Sequence, residues 1–297
     1  MLFFLLIFAL FLLFITPQGR CAAAHPFATF WNAIEDVGTW LRRKEYNRCP
    51  SGRLIAYVGL FGKGKTLSAV HDVVEMYKKY DGKEVFCPKR NRFVLQKVVI
   101  LSNIHITGVP YEHLSSLGQI YKICQDIGKI DAENDTLSTI LVLGDEFSVQ
   151  LNSRSFRDNM PPQFLGTLLT CRHYRLSIFY TAQRFGHVDA LLRQVTELVI
   201  DCNKIWRFMV QRTYDAWDME QAAAAHLLKP LFVKCWFVRN ADYGNYDTLA
   251  CVGLLKKSID KGDMMSSDEI LVGQQQHASD VAAVQRPGRI LVRRQKK

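Results

Sequence analysis

"GLFGKGKT", residues Gly59–Thr66, decides the fold of this chain. The stretch satisfies G-x-x-x-x-G-K-[ST] at every constrained position, follows the apolar run Leu54–Val58 and precedes the helical pattern Leu67–Tyr80. Gly59, Gly62 and Gly64 let the backbone turn tightly, so that its N–H groups point inward and form an anion nest at a helix N-terminus. Leu60, Phe61 and Lys63 fill the variable positions, Lys63 as an extra cation. Lys65 is placed to reach the β- and γ-phosphates of ATP as a point charge, and Thr66 offers a hydroxyl to Mg²⁺. A chance glycine-rich turn would lack the strand before it and the helix after it.

Beyond the loop, short apolar runs alternate with amphipathic segments from Arg53 to about Arg239, the pattern of a parallel sheet covered by helices. The expected strands are Leu54–Val58, Val98–Ser102, Thr139–Leu143, Leu176–Thr181, Glu197–Asp201, Trp206–Gln211 and Phe232–Arg239. The segment Asp81–Phe93, rich in Gly, Lys, Arg and Pro, reads as a surface excursion. In such a sheet, ligands bind at the C-terminal ends of the strands.

"STILVLGDEF" therefore brings Asp145 and Glu146 to the edge that carries the phosphate loop. Asp145 can hold Mg²⁺ through water and Glu146 can polarise an attacking water as general base. Successive residues at a strand end point to opposite sides, which suits two jobs; the alternative is a pair of solvated acids. The run Leu176–Thr181 leads to Gln183, a candidate sensor of the γ-phosphate or else a plain strand-end amide. "CRHYR" supplies Arg172, His173 and Arg175 just ahead of that run. Either arginine is a candidate to act across a subunit boundary on a neighbour's γ-phosphate, or to form a local salt bridge or helix C-cap.

The chain ends carry different chemistry. Met1–Ile15 has no charged side chain, and the basic residues Arg20, Arg42, Arg43 and Lys44 all follow it. By the positive-inside rule, residues 1–16 read as a retained N-terminal membrane helix with a cytoplasmic ATPase; a cleaved signal competes because the run is short. In residues 26–48, Phe27, Phe30, Trp31, Ile34, Val37, Trp40 and Leu41 fall on one helical face. That face fits an anionic membrane surface or, equally, packing on the catalytic domain. Residues 53–255 form the P-loop ATPase domain. Residues 256–297 lose apolar periodicity and end in basic residues, an expected disordered tail for polyanion contact or for solubility.

With 297 residues the chain has room for one sizeable core rather than two full domains. Its net charge of +10 favours polyanionic partners, nucleic acid or anionic lipid. The eight cysteines form no CxxC pair, which argues against a zinc site or redox dithiol and for reduced thiols.

Together, "GLFGKGKT", "VVILSNI" with Asn103, "LVLGDEF", "CRHYRLSIFYTAQ" and "VDALLRQVTELVI" resemble, in order and spacing, the zonula occludens toxin-like family. These are filamentous-phage assembly and export ATPases of the FtsK/HerA group. The resemblance covers roughly Arg53 to Asp201. It implies an α/β P-loop NTPase with a RecA-like parallel sheet, a ring-forming homo-oligomer at the host inner membrane. It further implies export of single-stranded phage DNA together with coat and assembly proteins. Under it, Gly59 to Thr66 bind ATP, Asp145 binds Mg²⁺, Glu146 activates water and Gln183 senses the γ-phosphate. The order of parts differs, since members commonly place the span after the ATPase. Competing readings are a nucleotide-dependent membrane scaffold, a motor that pumps double-stranded DNA, and a small-molecule phosphoryl transferase.

Overall fold

The computed structural model describes residues 4, 11, 16–146, 162–222 and 228–245. The first helices with described bounds are α1 (Pro17–Ala24) and α2 (Pro26–Arg42), each with proline in its first turn, where a missing N–H costs no hydrogen bond. They are followed by β1 (Leu54–Val58), α3 (Lys65–Tyr80), β2 (Glu84–Cys87), β3 (Arg92–Ser102), β4 (Glu112–His113), α4 (Leu117–Asn134) and β5 (Thr136–Gly144). The remainder comprises α5 (Pro162–Leu169), β6 (Leu176–Ala182), α6 (Ala190–Val195), β7 (Leu198–Ile205), β8 (Phe208–Asp215), α7 (Ala216–Gln221), β9 (Phe232–Phe237) and α8 (Asn240–Tyr243).

Among the described residues the strands form one nine-stranded sheet in the order β2-β3-β5-β6-β1-β7-β8-β9, with β4 beside β3. β3, β5, β6, β1 and β7 are mutually parallel. Every residue of β1 and β6 is buried, and so is all of β5 after Thr136, as expected of strands covered on both faces. Leu54, Ala56 and Val58 pack with Ile120, Cys124 and Ile127 of α4. The intervening Tyr57 points the other way and donates to Asp72 of α3 at 2.8 Å, the two-residue alternation of a pleated strand.

The sheet is mixed rather than parallel throughout. β8 and β9 run antiparallel, because only Trp206 and Arg207 separate the paired residues Ile205 and Phe208 and a parallel neighbour needs a crossover of roughly a dozen residues. Asp81–Phe93 is likewise no simple excursion. It contains β2, paired antiparallel with β3, since Val85, Cys87 and Val94 alternate inward to form a small core with Leu137.

α2 has no buried residue, and Phe27 is 88% and Trp31 69% exposed. Its apolar face is therefore not seated on the catalytic unit. The chain leaves it through Lys44, paired with Glu84 at 2.8 Å, and Arg43, whose guanidinium lies 4.9 Å from the Phe86 ring. No helix among the described residues is long and apolar enough to cross a membrane. The apolar run 1–16 lies outside them apart from Phe4, Phe11 and Thr16, and the tail 256–297 lies outside them altogether.

Candidate functional site: a phosphate loop facing a buried acid

Register decides which residues meet. Val58 pairs with Ala182 and Gly144 with Tyr180, so the segments after β1, β5 and β6 leave the sheet at one edge. β6 lies between β1 and β5, which puts the phosphate loop and the acid two strands apart, about 10 Å at the usual spacing.

Side chains close that gap. Thr66, in the first turn of α3, donates to Asp145 Oδ1 at 2.7 Å. Thr181 of β6 donates to the same oxygen at 2.7 Å and accepts the Glu146 N–H at 2.8 Å. Asn103, just past β3, exchanges two backbone bonds with Asp145, giving its amide to the carbonyl at 2.9 Å and taking the N–H at 2.8 Å. Asp145 is buried, and a buried carboxylate persists only when paired or hydrogen-bonded. Its two hydroxyl donors meet that demand, each charged bond contributing about 1.5–3 kcal/mol.

The loop itself is built on left-handed backbone. Gly59, Gly62 and Gly64 have φ of 149°, 73° and 83°, values other residues adopt at a cost. A Cβ on Gly59 would stand 2.9 Å from the Cys202 carbonyl oxygen, and one on Gly64 would run into Met209 Cε. α3 starts at Gly64 without a side-chain cap and without an acid in its first turn, which leaves its N-terminal amides and dipole to an anion. Lys65 Nζ donates to the Leu60 carbonyl at 3.3 Å and lies 5.7 Å from the exposed Phe61 ring. Lys63 Nζ donates to Asn203 Oδ1 at 3.0 Å, so this cation is tied to β7 rather than projecting freely.

Glu146 departs from simple strand alternation. β5 ends at Gly144, and Glu146 has φ of 49°, a left-handed conformation uncommon outside glycine, asparagine and aspartate. The turn is held by the Thr181 hydroxyl, which accepts the Glu146 N–H. Gln183, one residue past β6, lines a pocket of about 800 Å³ with Gly59, Leu60, Lys63, Asp201 and Arg212. β7 and β8 thus supply a wall that no motif in the sequence marks. Within it, burial pushes the Cys202 thiol up to about 12, leaving it protonated and unreactive near neutral pH.

The two arginine candidates lie at the other end of β6. Arg175 pairs with the buried Asp131 at 2.7 Å and donates to the Ser138 carbonyl at 2.7 Å; burial lowers its pKa while Asp131 opposes that shift. Within this chain it is a structural ion pair. Arg172 is exposed, with its Cα and stem so close to Gly52, at φ 82°, that a Cβ there would stand 2.5 Å from Arg172 Cγ.

Thr66 and Asp145 fit Mg²⁺, which takes one or two protein oxygens and completes its shell with phosphate and water. Among the described residues no group of three or more His, Cys, Asp or Glu is placed to bind a metal.

A mixed sheet with a central parallel block, flanking helices and this loop has the fold of a P-loop NTPase. No family model and no curated protein matches the chain. Among solved structures it is similar to the N-terminal domain of zonular occludens toxin from Neisseria meningitidis, with 18% identity and TM-score 0.43, over 67% of this chain and 100% of that one. It is also similar to the genome-packaging NTPase B204 of Sulfolobus turreted icosahedral virus 2 in complex with ATP-gammaS, with 10% identity and TM-score 0.40, over 63% and 98% of the two chains. A third likeness is to ATPases 2 and 3 of EssC from Geobacillus thermodenitrificans, with 13% identity and TM-score 0.33, over 50% and 32%.

Proposed function

We propose that this chain is the ATP-hydrolysing subunit of a membrane-held motor that exports single-stranded phage DNA during virion assembly. The observation that carries the hydrolase reading is the 2.7 Å bond between Thr66 and Asp145, which joins the phosphate loop to the acid from two strands away. In this reading the loop amides and Lys65 hold the β- and γ-phosphates. Thr66 and Asp145 hold Mg²⁺, which supplies charge neutralisation when bound. Glu146, whose backbone N–H is held by the Thr181 hydroxyl, accepts a proton from the attacking water, and Gln183 orients that water. Arg172, exposed at the far end of β6, acts on a neighbouring subunit's nucleotide in a homo-oligomeric ring.

Support for the motor role comes from the order of the quoted motifs, the net charge of +10 and the exposed aromatic face of α2. That face, followed by Arg42, Arg43 and Lys44, suits an anionic bilayer surface, where coat and assembly proteins would be met. The test uses the full chain in detergent, with single- or double-stranded DNA added. Lys65→Ala and Glu146→Gln each abolish ATP turnover, and only Glu146→Gln still retains nucleotide. Full turnover in either variant ends the hydrolase reading; wild-type turnover indifferent to both DNA forms favours a scaffold.

A further inference from the structure

The pocket beside the phosphate loop has a part that hydrolysis does not use. Val58 pairs with Asp201, and Asp201 with Arg212, so these side chains stand in a row across β1, β7 and β8 on the sheet face away from α3. Asn203 and Tyr214, each two residues along its strand, share that face and line the pocket. Gln183, Phe185 and Gly186 close it on the β6 side, Met219 of α7 adds an apolar wall, and Gly59, Leu60 and Lys63 border it from the loop. From β6 to β8 this trough crosses three strand spacings, about 14 Å.

Its polar groups have bonding capacity left over. Asp201 and Arg212 lie 3.6 Å apart, with side chains 36% and 40% exposed, which is too far for a hydrogen bond. Among the described residues neither side chain makes one, and nor does the Tyr214 hydroxyl. Asn203 accepts from Lys63 through Oδ1, which leaves its Nδ2 donors. Beside these groups lie the apolar surfaces of Leu60, Phe185 and Met219. A carboxylate acceptor, a guanidinium fork and apolar walls match a nucleoside, which has hydrogen-bonding edges on ribose and base and apolar faces on the base. A phosphate in the same place would meet the Asp201 carboxylate, like charge on like.

Strand order supplies the direction. Thr66 and Asp145 meet at 2.7 Å, which sets the β5 side of the loop as the end where the β- and γ-phosphates are handled. β7 and β8 lie on the other side of β1. A nucleotide whose phosphates rest over the strand ends therefore has its nucleoside directed toward β7 and β8, where the trough runs. From these observations we infer that the trough is the subsite for the ribose and base of the nucleotide, with Asp201 and Arg212 as its specificity-determining residues; this rests on the nucleotide reading above. Gln183 stands at the phosphate end of the trough and Arg212 at the nucleoside end, three strands apart.

The test compares ADP, which carries a nucleoside, with inorganic pyrophosphate, which does not, by isothermal titration calorimetry of the full chain in detergent with Mg²⁺. Wild type binds ADP at least about tenfold more tightly than pyrophosphate, the effect of one hydrogen bond to a charged group. Arg212→Ala weakens ADP binding by at least about tenfold and leaves pyrophosphate within about twofold of wild type. Met219→Trp, which fills the trough, does the same, while Met219→Leu keeps ADP within about threefold. Should the tryptophan variant fail to fold, Arg212→Ala, at a partly exposed position, decides alone. Equal affinity of wild type for the two ligands, or wild-type ADP affinity in Arg212→Ala, overturns the subsite and leaves the phosphate loop standing. An Arg212→Ala chain that loses pyrophosphate as much as ADP also overturns it, by showing the guanidinium to read phosphate. A wild-type chain that binds neither ligand ends the underlying nucleotide reading.

Discussion

Gly62 and Gly64 have nearly the same backbone, φ 73° and 83°, but opposite surroundings, and this contrast gives a sharp test of how the phosphate loop is held. A Cβ on Gly62 meets nothing within 4 Å, whereas one on Gly64 runs into Met209 Cε and comes within 3.3 Å of its sulfur. Gly62→Ala therefore carries only the left-handed backbone cost, about 1–2 kcal/mol. Gly64→Ala adds overpacking against a side chain with no exposed surface, about 1–3 kcal/mol more. Met209→Ala alone opens a cavity at a cost of about 2–5 kcal/mol. In the double variant the new methyl enters that cavity, so the Gly64→Ala penalty shrinks toward its backbone part and the pair couples by about 1–3 kcal/mol. Urea unfolding of the four proteins followed by circular dichroism measures the cycle, and nucleotide binding follows loop geometry. An equal penalty for Gly64→Ala with and without Met209 would refute the idea that β8 braces the loop.

Other consequences concern the network around the site. Arg175→Ala leaves Asp131 buried without its cation and costs about 3 kcal/mol, toward the low end for a broken buried pair because Arg175 is partly exposed. Arg172→Ala changes stability by no more than about 0.5 kcal/mol, and urea midpoints of the two variants separate the roles. His71 stacks on Trp236 at 3.7 Å, and burial lowers its pKa from 6.5 while Asp72, Asp242 and Glu75 oppose the shift and Lys234 reinforces it. The unfolded chain then binds the proton more tightly, so the contribution of neutral His71 is complete above about pH 6.5 and is lost as pH falls through the folded-state value. His71→Gln should flatten the decline in thermal stability between pH 7.5 and 5.5; an unchanged slope would remove His71 as its source.

Local geometry was legible in the sequence and long-range pairing was not. Gly59–Thr66 could be read because strand, turn and helix are contiguous, and Asp145 because apolar β5 ends beside it. Thr181 lay within a quoted strand, yet its role was invisible. It holds Asp145 from 36 residues away, and nothing in a period-two apolar run marks which hydroxyl faces a carboxylate. Asp131 and Arg175 met the same difficulty at 44 residues. The antiparallel turn at Trp206–Arg207 was within reach, since two residues cannot cross over to a parallel strand. Composition misled at Asp81–Phe93, where charged and turn residues conceal the inward alternation of Val85, Cys87 and Val94.

β6 then carries more than its length suggests. Its seven residues are all buried, and it pairs with β5 through Leu176–Tyr180 and with β1 through Ile178–Ala182, so it moves only with the centre of the sheet. Just ahead of it stand Arg172 and Arg175; at its far end Thr181 holds the Asp145 carboxylate and the Glu146 backbone N–H, and Gln183 faces the pocket beside the loop. A strand of this length spans about 23 Å. One rigid element therefore joins the edge on which the proposed ring would rely for its neighbour's nucleotide to the edge that holds its own. Arg175, bonded to Asp131 and the Ser138 carbonyl, pins the near end as well. Loosening that pin should disturb the acid pair as well as the fold, which a purely local ion pair would not do.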